Sequence, residues 1–448
     1  MPESEIRTIE YPNGDIQRVQ LVTFGSLAEL GFFRPDYDRR AFDRVADLYE
    51  HFIVPSNPKV FGQLILFHLP DGDSSDFPLK TVKYGRVADR TTAAAIAMRK
   101  RVRIAAGKPV FADSGIREFW KNLEEQNYVR IVRGKLPMTT VIPVGNSFGF
   151  LSEKNPDAAL KVNSSFFIMD RFDCSTAYDM LGKPVGLMVK DGNVLNPPMY
   201  LRESLLCRRD GSVSIETTDI RNLKIEISGA VFVHGENADF YSRPEKRRTP
   251  LRSGTDIVIS GKEVIAVKNG GGTLIPSSGF VLSTCRTDKV NPGDAVNYRG
   301  LEDVSFGIQV GNSILRRGIK TDRFISPFYN IYKLWSTSYP PSLYPLDFEK
   351  ARAPRIALGT DEKGRAMLAW IEGPGKFSDN PALESCGASL KEMADICKSL
   401  GMYNAINLDG GGSAQILLNN VRNLRISDRN ASDFTEVERA VPAGLIIP

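Results

Sequence analysis

The chain has 448 residues, 42% apolar and 25% charged, with a formal net charge of +5. Those values describe a globular chain of two or three domains that can bury a sizeable core. The charge is too small for this length to be a nucleic-acid signature, and no run of 18 apolar residues offers a transmembrane helix.

In chain order, Met1 to Glu5 is polar and acidic, without the apolar region of a signal peptide. Cys174, Cys207, Cys285, Cys386 and Cys397 are scattered and odd in number, which reads as reduced thiols. The expectation is a cytoplasmic protein, although a chain trimmed of a secretory leader would look the same. Residues 1–135 read as an accessory region, mainly helical. Phe42, Val45, Ala46, Tyr49, Phe52 and Ile53 form one amphipathic stripe. Thr91 to Ala106 is alanine-rich and stops at Gly107-Lys108-Pro109, and Ile116 to Gln126 predicts a third helix. Arg99, Lys100, Arg101 and Arg103 give the second of these a basic cluster. A solvated face is the plainer reading of that cluster, and a patch for nucleic acid or another partner the lesser one.

From Val141 onward the pattern changes to short β-like runs separated by Gly, Asn, Asp and Pro, including 212–217, 223–227, 256–259, 264–267 and 280–283. The chain therefore divides near residue 135, with residues 136–448 as a second unit. Residues 235–250 and 336–350 read as exposed loops. Gly270-Gly271-Gly272 follows Asn269 and reads as a turn between strands. Further on, Ser389 and Glu392 form a capping box. Leu390, Met393, Ala394, Cys397 and Leu400 recur at helical spacing until Gly401. A strand over 404–408 and a second over 414–418 flank Asp409-Gly410-Gly411-Gly412-Ser413.

That loop is the strongest chemical signal. Three adjacent glycines point to unusual backbone angles or to the close approach of another group. Their N–H groups can form an anion-binding concavity, and Ser413 can donate to a phosphate oxygen. Asp409, at a strand end, can transfer a proton, hold a metal or fix a sugar hydroxyl. The plain alternative is a tight hairpin in which Asp409 accepts local N–H bonds. The three histidines, His51, His68 and His234, show no metal spacing and no Ser-His-Asp pattern.

Around this loop the chain resembles the phosphodiester glycosidase family, over roughly residues 136–448. The resemblance is carried by Asn407 to Ser413, by Pro354 to Gly359 with Asp361 to Gly364, and by Trp370-Ile371-Glu372-Gly373. Ser385 to Leu390, Arg439-Ala440-Val441, Val162 to Phe167 and Gly186 to Gly192 add to it. Ser164 and Ser165 stand where the family has glycines, and Ala443 where it often has an amide residue. The resemblance implies hydrolysis of the glycosyl–phosphate bond of a sugar-1-phosphodiester. A phosphate monoester is a weakly basic leaving group, so stabilising an oxocarbenium-like sugar and fixing the phosphate matter more than protonation.

On that basis Asp409 and Glu372, each ending an apolar run and followed by glycine, form the candidate carboxylate pair. Arg355 and Arg439 either clamp phosphate oxygens or make buried ion pairs that order the carboxylates. For Glu372 the plain reading is a salt bridge with Arg355. Asn163 either bonds a sugar hydroxyl or caps its own turn. Gly410, Gly411, Gly412 and Ser413 contact the substrate anion. No cofactor is required, and a divalent cation, Ca²⁺ or Mg²⁺, is compatible. The other readings are a carbohydrate- or phosphodiester-binding module without catalysis, and a metal-dependent phosphodiesterase cutting at phosphorus. The expected fold is α+β: twisted, largely antiparallel sheets with flanking helices, preceded by the mainly helical N-terminal region.

Overall fold

The computed structural model describes residues 1–33, scattered backbone elements between 65 and 133, and most of 149–321 and 352–448. Breaks within the last two spans fall at 154, 169–175, 177, 179–181, 199–201, 244–245, 287–288, 376–384 and 430–434. Its central element is a seven-stranded antiparallel sheet. In spatial order the strands are Glu3–Glu10, Ile16–Phe24, Ala366–Ile371, Arg355–Thr360, Asn404–Asn407, Ser313–Arg316 and Ile319–Lys320. The two strands Arg355–Thr360 and Ala366–Ile371 are buried at every residue. Their near-continuous apolar sequences fit that position, because this sheet is covered on both faces.

One face packs on the helix Leu390–Ser399. Leu390, Met393, Ala394 and Cys397 meet Val19, Leu21, Ala357, Ala369 and Ile371 there. The helix starts as its sequence predicts: Ser389 caps the Glu392 N–H while the Glu392 side chain returns to the Ser389 N–H. The other face, with Ile356, Leu358, Trp370, Ile406 and Leu408, joins the largest apolar core. That core also takes in a second sheet of four strands, Gly31–Phe33, Gly444–Ile447, Leu160–Asn163 and Ile416–Leu418. A separate core around Ile225, Phe232, Phe240, Ile257, Phe280 and Tyr298 fills a β-rich region over residues 187–304.

The expected α+β class with a mainly helical N-terminal region is overturned. The molecule is mostly β, and Leu390–Ser399 is the one α-helix with defined bounds among the described residues. Glu3–Glu10 and Ile16–Phe24 are paired strands, joined through a turn where Gly14 adopts φ +86°. Ile16–Phe24 pairs in turn with Ala366–Ile371, so residues 1–33 belong to the same sheets as the C-terminal half.

Within the alanine-rich run, Val102–Ala105 is a strand paired with Lys108–Phe111. The β-branched Val102 and Ile104 and the glycine between the two strands outweigh alanine's helix propensity. Arg103 is therefore on a strand. Residues 91–101, with Arg99, Lys100 and Arg101, lie outside the described residues, as do the stripe 42–53 and the segment 336–350. Helical geometry at Ser114, Arg117, Glu118 and Lys121 overlaps the expected 116–126. The predicted loop 235–250 contains a strand, Asp239–Ser242, paired with Gly279–Thr284.

Candidate active site

The glycine loop is strung between the two sheets. Asn404–Asn407 belongs to the seven-stranded sheet and Ile416–Leu418 to the four-stranded one, so residues 408–415 cross from one to the other. Leu408 N–H still donates to the Ile356 carbonyl at 2.8 Å, and the chain then leaves the sheet. Asp409 N–H donates to the Ser164 carbonyl at 3.0 Å. Gly411 to Ser413 form a single 3₁₀ turn.

Each glycine has its own reason to lack a side chain. At Gly410 a Cβ would stand 2.7 Å from the Pro354 carbonyl oxygen. Gly411 has φ +58° with open space around it, and its N–H donates to that same Pro354 carbonyl at 2.9 Å. At Gly412 a Cβ would fall 1.9 Å from Arg439 Nη2 and 2.2 Å from Asp428 Oδ1. The lack of a side chain at Gly412 therefore lets a buried ion pair lie directly against the loop.

That ion pair leads to Asp409. Arg439 grips Asp428 bidentately, Nε to Oδ2 at 2.8 Å and Nη2 to Oδ1 at 2.9 Å, with both side chains buried. Arg439 Nη1 reaches the Ser413 hydroxyl at 3.3 Å, and Arg439 and Ser413 both favour the charged form of the nearby Asp409 carboxylate. Asp409 remains partly exposed. Its proton affinity is nonetheless raised to about 6, chiefly because protein atoms crowd the carboxylate and displace its water. The Ser413 hydroxyl, the Arg439 charge and the Gly410 N–H oppose that rise, and the Asp428 charge adds to it.

Asn163 acts as a clasp. Its Nδ2 donates to the Asp409 carbonyl at 2.7 Å and its Oδ1 accepts from the Gln415 N–H at 3.0 Å. The amide thus closes both ends of the loop. Gln415 Nε2 adds a bond to the Arg439 carbonyl at 3.1 Å. Ser164 Oγ, Ser165 Oγ and Asn407 Oδ1 are buried without a hydrogen-bond partner among the described residues.

Glu372 belongs to a neighbouring network. Its carboxylate is almost wholly buried and is held bidentately by Arg18, at 2.7 and 2.9 Å, not by Arg355. It also accepts the Arg425 N–H at 2.7 Å, which fixes the segment leading to Asp428. Arg355 is buried and donates from Nε to the Ala388 carbonyl at 2.9 Å. The structure thus gathers Asp409, Gly410, Gly411, Gly412, Ser413, Arg439 and Asn163 in direct contact, with Glu372 and Arg355 at adjoining strand ends.

Asp428 and Arg18 escape the sequence reading. Neither stands in a local pattern, and each finds its partner only after folding. Asp428 is engaged by Arg439 and Glu372 by Arg18, and among the described residues no group of three or more His, Cys, Asp or Glu side chains is placed to hold a metal.

A family model for phosphodiester glycosidases (NAGPA) matches residues 221–448, just over half of the chain. The chain belongs to the phosphodiester glycosidase family. The matched span holds the glycine loop, Glu372, Asp428 and Arg439, while Arg18 and Asn163 reach this family core from outside it. N-acetylglucosamine-1-phosphodiester alpha-N-acetylglucosaminidase of Bos taurus is 42% identical over 65 residues, 14% of this chain and 11% of that protein. The Homo sapiens protein of the same name is also 42% identical over 65 residues, with the same coverage. The match therefore spans about a tenth of the length of these relatives. Among solved structures, a hypothetical protein from Synechocystis aligns at a TM-score of 0.41 and 16% identity, over 100% of this chain and 62% of that one.

Proposed function

We propose that this protein hydrolyses the glycosyl–phosphate bond of a sugar-1-phosphodiester, releasing the sugar and a phosphate monoester. The observation that carries this reading is the state of Asp409. Of the carboxylates at 372, 409 and 428, it is the one not gripped bidentately by a guanidinium. It stands at the head of the glycine loop, partly exposed, and with a proton affinity near 6 it changes charge close to neutral pH. The names of the mammalian relatives, which state action on an N-acetylglucosamine-1-phosphodiester, support this class of substrate.

The leaving group decides which form of Asp409 is active. A phosphate monoester departs without full protonation, so the larger task is to stabilise positive charge at the anomeric carbon. The ionised carboxylate does that. Arg439, Ser413 and Gly410 favour its charged form, and Asp428 keeps Arg439 in place. Arg439 therefore acts by ordering Asp409, and Glu372 by ordering the segment that carries Asp428.

Asp409→Asn tests this directly, because it removes the charge and keeps the shape. Turnover of a synthetic sugar-1-phosphodiester is expected to fall by about 10³-fold or more, with the fold intact by circular dichroism. Near wild-type hydrolysis by the variant would take Asp409 out of the mechanism. In the wild-type protein, kcat/KM is expected to rise as pH increases through about 6, as Asp409 ionises.

A further inference from the structure

The two edges of the seven-stranded sheet are unlike. One ends on the two-residue strand Ile319–Lys320, where Lys320 is paired with Asp395. The other ends on Glu3–Glu10, eight residues long and almost wholly exposed, with hydrogen-bond pairing to Ile16–Phe24 on one side only among the described residues. Natural sheets usually shorten or cover such an edge, because its outward N–H and C=O groups invite another strand. Charges on this strand, Glu3, Glu5, Arg7 and Glu10, are one way to discourage pairing, so their arrangement decides the matter.

A second copy can meet this edge antiparallel about a twofold axis perpendicular to the sheet. Such an axis keeps each side chain on its own face, so only residues of like parity come opposite one another. Centring the pair on Glu5 sets Glu5 against Glu5, and centring it on Arg7 sets Arg7 against Arg7. Centring it on Ile6 sets Ile6, which is 50% exposed in the single chain, against Ile6. In that register Glu5 faces Arg7 of the second copy twice and Ser4 faces Thr8 twice.

Within one strand Arg7 already hydrogen-bonds Glu5, so the four charges form a square of alternating sign. Arg7 and Glu5 lie opposite Val19 and Leu21, on the helix-covered face, while Ile6 lies opposite Gln20 on the other. Each face thus receives a matched set.

We propose that Glu3–Glu10 is a homodimer interface, joining two copies edge to edge into one continuous sheet with Ile6 on the axis. The register makes the test specific. Glu5→Arg and Arg7→Glu each set like charges against one another in both symmetric pairs. Each is expected to weaken the dimer roughly tenfold or more in sedimentation velocity over a concentration series. An equimolar mixture of the two variants regains opposite charges at both pairs and is expected to form a heterodimer, and the E5R/R7E double variant is expected to self-associate like wild type. These substitutions are at exposed positions, and recovery in the mixture shows that both variants remain folded. A wild-type chain that stays monomeric throughout, or single variants that dimerise like wild type, or a mixture that does not associate, would each overturn the proposal.

Discussion

Asp409 is held where its charged form costs stability. An unfolded aspartate titrates near ~3.9, whereas burial raises the folded value to about 6. Between those values the folded protein keeps a proton that the unfolded chain has released. The stability contributed by this group is therefore fully present below about pH 4 and is lost as pH rises through about 6. Asp409→Asn is expected to melt higher than wild type at about pH 7.5, with the gain shrinking towards about pH 4. An equal difference in Tm at both pH values would contradict the raised proton affinity.

The glycines separate just as sharply. Gly412→Ala drives a Cβ into the Arg439–Asp428 pair and is expected to cost about 2–4 kcal/mol of stability together with most activity. Gly411→Ala meets nothing within 4 Å, and its φ of +58° sets a strain of about 1 kcal/mol. Equal damage from both, measured by denaturant melts and turnover, would contradict the packing described for Gly412.

Elements far apart in sequence hold the site, and here the sequence was only partly readable. Helix Leu390–Ser399, the strand before the glycine loop and the strand after it follow from a capping box, helical spacing and two apolar runs. The N-terminal hairpin also carried a local signal. Tyr11-Pro12-Asn13-Gly14 is a turn sequence between two β-compatible runs. No local signal marks Arg18 as the partner of Glu372, because 354 positions separate them and neither periodicity nor turn chemistry encodes a pair at that range. Asp428 is hidden for the same reason.

The Arg18–Glu372 contact gives this scale its own prediction. Arg18→Ala leaves a buried carboxylate with the Arg425 N–H but without its guanidinium. Because Arg18 is 37% exposed, the expected loss is at the low end for a broken buried pair, about 2–3 kcal/mol. Arg18→Ala with Glu372→Gln should lose less than Arg18→Ala alone in urea denaturation. A double variant at least as unstable as the single would show that the charge left behind is not the cause.

Over the whole molecule, the two ends of the chain meet at the site. Ile16–Phe24 flanks the strands that carry Arg355 and lead to Glu372 in one sheet, and Gly31–Phe33 pairs with Gly444–Ile447 in the other. The glycine loop bridges those sheets, with Asn163 clasping it from the second. Both ends of the loop are thus anchored by the protein itself, which is the preorganisation that the proposed role of Asp409 requires. No helix among the described residues is long and apolar enough to cross a membrane.

In the proposed function this framework directs attack to the anomeric carbon and not to phosphorus. Hydrolysis of a sugar-1-phosphodiester in ¹⁸O water, followed by mass spectrometry of both products, tests it most directly. Label is expected in the released sugar and none in the phosphate monoester. Label in the phosphate monoester would contradict it.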